Sequence, residues 1–94
     1  MTRDINEMRE RARIYSKEKT FTYVKETLPS GRENFYNGFI IKVSDEMIIF
    51  FDLVLKKEFP IMLDCLEVIE PSRKDMDIKT AWEIYEEVKN AKEK

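Results

Sequence analysis

"NFYNGFIIKVSDEMIIFFDLVLKKEFPIML", Asn34 to Leu63, is the stretch on which the fold turns. Its first part alternates: Phe39, Ile41 and Val43 fall on one face, and Ile40, Lys42 and Ser44 on the other, which is the two-residue period of a strand. Gly38 lies inside that run, where a glycine marks a bulge or a sharp bend. "SDE" at 44–46 is polar and turn-like, and "MIIFFDLVL" at 47–55 reads as a second strand. The apolar residues of this second strand do not alternate, so both of its faces need cover. After "KKE", a further turn at 56–58, "FPIML" carries Pro60 near its start, which suits a strand at the edge of a sheet.

Outward from this centre the pattern continues for a short distance and then changes period. On the N-terminal side, "TFTYVKE" alternates again, and "LPSGREN" supplies Pro29, Ser30 and Gly31 as a turn or longer loop. On the C-terminal side, "DCL" reads as a tight turn of helical type and "EVIEP" as a last short strand closed by Pro71. From Thr2 to about Lys17, Ile5, Met8, Ala12 and Tyr15 recur at three- and four-residue steps, with Asp4 and Glu7 in the first turn of an amphipathic helix. From about Asp77 to Lys92, Ile78, Ala81, Trp82, Tyr85 and Val88 form a second stripe. Thr80 with Glu83 resembles a capping box, and Lys89, Lys92 and Lys94 complement the C-terminal dipole. The expectation is one domain spanning 1–94: an N-terminal helix in 1–19, strands in 20–72 and a C-terminal helix in 73–94.

Five short strands joined by tight turns, the second bent at a glycine and the last two separated by one turn, is the plan of a five-stranded SH3-like or Sm-like small barrel. "GFIIKVSDEMIIF", Gly38 to Phe50, resembles the first Sm motif, in which a glycine opens the bent second strand and an aspartate occupies the following turn. Asp45 stands one residue later than that motif places its aspartate. Glu46 and Ile48 stand at positions where polar base-contacting residues are expected. "DCLEVIEP" stands at the link between the last two strands without the Arg-Gly of the second Sm motif. The resemblance implies a small β-barrel over residues 20–71, flanked by the two helices read from period, and carries no base-binding residue across one by one.

The chain has no histidine and one cysteine, Cys65. That removes the commonest general base, the histidine-paired nucleophiles, the usual zinc ligands and any disulfide within the chain. No metal site, cofactor or catalytic residue is expected, and Asp45, Glu46 and Asp52 are read as turn formers and solubilising charges. The apolar runs are broken by Lys42, Asp45, Glu46 and Asp52 well short of the ~18–20 residues of a membrane span, and no secretory pattern opens the sequence. With a single cysteine, a soluble protein in a reducing, cytoplasmic setting is expected. Cys65 itself reads as a small buried hydrophobe.

Two classes of non-catalytic binding are left. Arg9, Arg13 and Lys17 are spaced four apart on one helix face, with Arg11 nearby and Lys19 beyond. Tyr15, Phe21, Tyr23, Phe35 and Tyr36 offer ring surfaces. Cations beside aromatics suit RNA or single-stranded DNA, and Arg9, Arg11, Arg13, Lys17, Lys19, Tyr23 and Tyr36 are the candidate contacts. Against this, residues 20–72 carry five basic and nine acidic side chains, and Glu7 can pair with Arg11 and Glu10 with Arg13. The other class is a protein partner or a homo-oligomer using a barrel edge, with Ile61, Leu63 and Phe50 as candidate interface residues. Its warrant is an apolar excess, Ile40, Ile48, Phe50 and Leu53 or Leu55, that either the terminal helices or another subunit must cover; Trp82 is the expected anchor of the second helix.

Overall fold

The longest strand, β2 (Glu33–Val43), changes partners at Gly38. In the computed structural model of the chain, residues 4–74 and 76–92 are described, Lys92 by its backbone alone. Thr2 and Lys94, expected at the helix ends, lie outside them, as does the Lys92 side chain. The elements run α1 (Ile5–Glu18), β1 (Thr22–Thr27), β2, β3 (Met47–Asp52), β4 (Lys57–Met62), a 3-10 turn (Leu63–Cys65), β5 (Leu66–Pro71) and α2 (Ile78–Lys92). The strands form one antiparallel sheet in the order β4-β3-β2-β1-β5, with β4 and β5 as its edges and no ladder joining them among the described residues.

The first half of β2 pairs with β1, from Thr27↔Glu33 to Thr22↔Gly38, and the second half pairs with β3, beginning at Gly38↔Asp52. Gly38 therefore belongs to both ladders, and the backbones close in on it. A β-carbon there would lie 1.8 Å from the Phe51 carbonyl oxygen and 2.9 Å from its carbon. Only a residue without a side chain permits this approach. A register shift between Ile40 and Lys42 adds a bulge two residues on, so bend and bulge together curve the sheet.

Curvature gives the sheet two differently covered faces. On the near face Val24, Ile40, Ile48, Phe50, Ile61, Leu66 and Ile69 meet Met8 and Ala12 of α1. On the far face Phe21, Phe39, Phe51 and Leu53 meet Ala81 and Tyr85 of α2, with Trp82 edge-on to Phe39 at 5.0 Å and Tyr85 edge-on to Phe51 at 5.0 Å. The apolar excess of the central strands is thus covered by the chain's own helices. Trp82 and Tyr85 anchor α2, and such aromatic pairs add about 0.5–1.5 kcal/mol each beyond area burial.

α1 begins where Asp4 accepts hydrogen bonds from the amides of Asn6 and Glu7, and ends at Lys19 in the left-handed region. There Lys19 N donates to the Ser16 carbonyl and Thr20 N to the Tyr15 carbonyl, closing the helix as a glycine usually does. At α2 the pairing differs from the Thr80–Glu83 expectation. The helix starts at Ile78, so Thr80 lies inside its first turn, and its hydroxyl donates to the Asp77 carboxylate at 3.0 Å.

β3 stops at Asp52, earlier than the sequence pattern suggests. The Asp52 carboxylate accepts the Leu55 amide at 2.7 Å and its carbonyl accepts the Lys56 amide at 2.8 Å, so 53–56 becomes a turn that leaves Val54 and Leu55 exposed. Ile61, Leu63 and Phe50, expected at an interface, are core residues at 1%, 2% and 0% exposure. Their side chains face inward from the bent sheet and have no surface to offer a partner. No described helix is long and apolar enough to cross a membrane.

Gly38→Ala is expected to cost about 3 kcal/mol or more, because the added methyl must force β2 from β3. A urea unfolding midpoint close to that of the parent protein would contradict the close approach. Lys56, at φ 54° in an exposed turn, gives the opposite test. Lys56→Gly should stabilise by about 0.5–1 kcal/mol, read as a melting temperature raised by roughly 2–8 °C.

Candidate nucleic-acid interface

The cations of α1 are largely occupied within the chain. Arg9 donates to the Asp45 carbonyl at 2.6 Å and to Asn6 Oδ1 at 2.8 Å. Arg11 donates to the Ile69 carbonyl at 3.3 Å and pairs with Glu7, and Arg13 pairs with Glu10 at 3.7 Å. Arg9 and Arg11 thus reach to opposite flanks, one to the β2–β3 turn and the other to β5. Lys17 is exposed, and Lys19 lies over the Trp82 ring at 4.7 Å, where α1 ends against α2. The helix cations do not converge on one ligand-sized surface.

The aromatic candidates separate as well. Tyr36 lies on the near face against Phe59 (4.8 Å) and Phe50 (6.2 Å), half-buried in the core cluster. Burial pushes its phenol above the ordinary tyrosine value of 10.0, with Glu26 and Asp52 adding to the shift and Arg32 opposing it. Tyr23 lies on the far face, across the sheet from α1. The sheet therefore separates Tyr23 from α1, and the ring of Tyr36 is taken up by core packing against Phe50 and Phe59.

The β2–β3 turn and the 3-10 turn are acidic. The β2–β3 turn and the 3-10 turn approach each other around a shallow hollow that includes Arg9, Asp45, Glu46 and Asp64. Arg9 is already bonded to a carbonyl there, so three carboxylates dominate, and a phosphate backbone would be repelled.

A different surface combines rings, cations and free polar groups. On the far face, beyond the end covered by α2, Tyr23 is flanked by Asn37 on β2 and Glu70 on β5, at one level across three strands. Beside Tyr23 the ring of Phe35 lies nearly parallel, centroids 6.4 Å apart and planes 14° apart, and Phe35 is 55% exposed. The Lys25 ammonium lies 5.8 Å from the Phe35 ring centre, between Glu67 at 3.4 Å and Glu33 at 3.5 Å. Glu67, the stronger influence, and Glu33 hold the Lys25 pKa above the usual lysine value of 10.5.

The groove next to Tyr23 has a volume of about 480 Å³ and is lined by Tyr23, Asn37, Glu70, Arg73 and Lys74. Arg73 and Lys74 follow β5, and among the described residues neither is held by a carboxylate. Sequence reasoning singled out Tyr23 and Phe35 but missed Asn37, Glu70, Arg73 and Lys74. The available signal was period: Tyr23, Lys25, Phe35 and Asn37 all take the non-core positions of their strands. No protein-family model matches the chain, and no curated protein matches it.

Tyr36 gives a test of this geometry. Because its folded pKa is raised, its contribution to stability is whole below pH 10 and lost as pH rises through the folded value. Tyr36→Phe should remove a phenol that ionises late in an alkaline absorbance titration, and should lessen the loss of stability above pH 10. A parent-minus-variant titration centred at or below the ordinary value would contradict the burial.

Proposed function

We propose that this chain is a non-catalytic binding module of the SH3-like or Sm-like small-barrel type that takes single-stranded nucleic acid, RNA or DNA, on the far face of its sheet. The barrel reading is supported by the element order, with α1 ahead of five antiparallel strands, β2 bent at Gly38, and one 3-10 turn between the two edge strands. The observation that carries the function is the half-buried Tyr23, lying nearly parallel to the exposed Phe35 and lining a groove with Arg73 and Lys74. Every base has a π-face, so exposed rings next to cations bind strands through stacking and phosphate contacts, at about 1–3 kcal/mol per stacked base. The single cysteine, Cys65, can form no disulfide within the chain and suits a reducing, cytoplasmic setting.

The net charge of −2 indicates weak, stacking-led binding rather than a strong electrostatic footprint. For two phosphate contacts, at Arg73 and Lys74, the affinity for a short oligonucleotide should fall with salt at a log–log slope of about −1.4. Fluorescence anisotropy with labelled RNA and single-stranded DNA over a salt series measures this. Neutralising Arg73 and Lys74 should flatten the slope, whereas neutralising Arg9, Arg13 and Lys17 should leave it nearly unchanged. Absence of binding to every strand at low salt would overturn the proposal.

A second reading, a protein partner or homo-oligomer at a sheet edge, is favoured by one observation. β4 is an unpaired edge and exposes Met62, with Val54 and Leu55 exposed in the turn before it. Light scattering separates the two readings, since an edge-paired assembly would persist at high salt without nucleic acid.

A further inference from the structure

The groove beside Tyr23 carries more chemistry than stacking needs, and resting on the single-strand reading above, we infer that it is a guanine subsite. Two polar residues line the groove from the strands on either side of Tyr23, and their hydrogen-bonding senses are opposite.

Asn37 is oriented by a short relay. Ser72 Oγ accepts the Lys74 amide at 3.2 Å, so its one proton is directed elsewhere, and it donates to Asn37 Oδ1 at 2.6 Å. With its oxygen engaged, Asn37 presents its Nδ2 hydrogens, a pure donor, to the groove. Glu70 supplies the opposite. It lines the same groove from β5, and a carboxylate offers two acceptor oxygens and no donor.

Asn37 and Glu70 are separated by Tyr23 alone, hence by two strand spacings, ~9–10 Å. Side chains rising from backbones so spaced leave room beside the Tyr23 ring for a flat heterocycle that makes hydrogen bonds of about 2.9 Å with both along one edge. The site therefore asks for a base with adjacent donors at one end of an edge and an acceptor at the other. Guanine has that edge: N1–H and the N2 amino group for Glu70, and O6 for Asn37. Uracil offers one donor, and adenine and cytosine offer an amino group without an adjacent ring N–H. Arg73 and Lys74 at the rim suit the phosphate of the same nucleotide, so the charges match: carboxylate toward the donor edge, cations toward the phosphate. Lys25, held between Glu33 and Glu67, is committed to the sheet and plays no part in phosphate binding.

The test uses the full chain at low salt and labelled uridine hexamers carrying one central guanosine, inosine, adenosine, cytidine or uridine. The guanosine hexamer should bind about tenfold tighter than the uridine hexamer. Inosine, which lacks the N2 amino group, should lose most of that gain, since a bidentate pair carries a discrimination of about 5- to 150-fold. Glu70→Gln should abolish the guanosine preference, so that the guanosine and uridine hexamers bind within about twofold of one another, and Tyr23→Leu should weaken all five. Equal binding of all five hexamers overturns the guanine subsite and leaves the single-strand reading standing. No binding of any hexamer or of guanosine monophosphate overturns both. If guanosine monophosphate alone binds, and binding is lost in Glu70→Gln, the guanine subsite is supported and the strand reading is overturned.

Discussion

The close passage of β2 over the Phe51 carbonyl at Gly38 is the constraint on which the rest of the structure depends. At that residue one strand leaves the ladder of β1 and enters the ladder of β3, and a side chain of any size would hold the two backbones apart. With the passage in place, five short strands form a single curved sheet rather than two hairpins. The curve gives a concave near face for α1 and places Phe39 and Phe51 on the far face under α2.

Covering both faces with the chain's own helices has a functional consequence. α2 covers only one end of the far face, through Trp82 and Tyr85. At the other end, where β1 lies between β2 and β5, the outward side chains belong to neither core cluster of the described residues. Strand alternation makes these the outward neighbours of core-facing residues: Tyr23 beside Val24, Phe35 beside the half-buried Tyr36, Asn37 beside Gly38. The open surface is thus a by-product of the same period that builds the core, and its aromatic and polar character is what the proposed binding uses.

The charge distribution takes its meaning from the fold. The basic residues of α1 look like a binding stripe along the sequence, but Arg9 and Arg11 are spent on backbone carbonyls that hold the helix against the β2–β3 turn and β5. The carboxylates of the central region gather at the β2–β3 and 3-10 turns, where they disfavour phosphate. Arg73 and Lys74, unremarkable in a linker, end up at the rim of the groove beside Tyr23 because β5 returns to pair with β1.

What the sequence determined by itself was local: the two helices, the five strands, the one-turn link before the last strand and the bend at Gly38. Each is encoded by period, by turn-forming residues or by a glycine within a few positions of where it acts. It did not determine where β3 ends, because the Asp52 carboxylate ends the strand by capping a turn that hydrophobicity alone extends to Leu55. Nor did it determine that Ile61, Leu63 and Phe50 face inward, or which polar residues meet. Asn37 stands more than thirty residues from Glu70 and Arg73 in the chain, and only the tertiary strand order brings them together. The orientation of the Asn37 amide depends further on a hydroxyl at Ser72. Local physics is legible from neighbours in the chain, whereas a binding groove is made of neighbours in space.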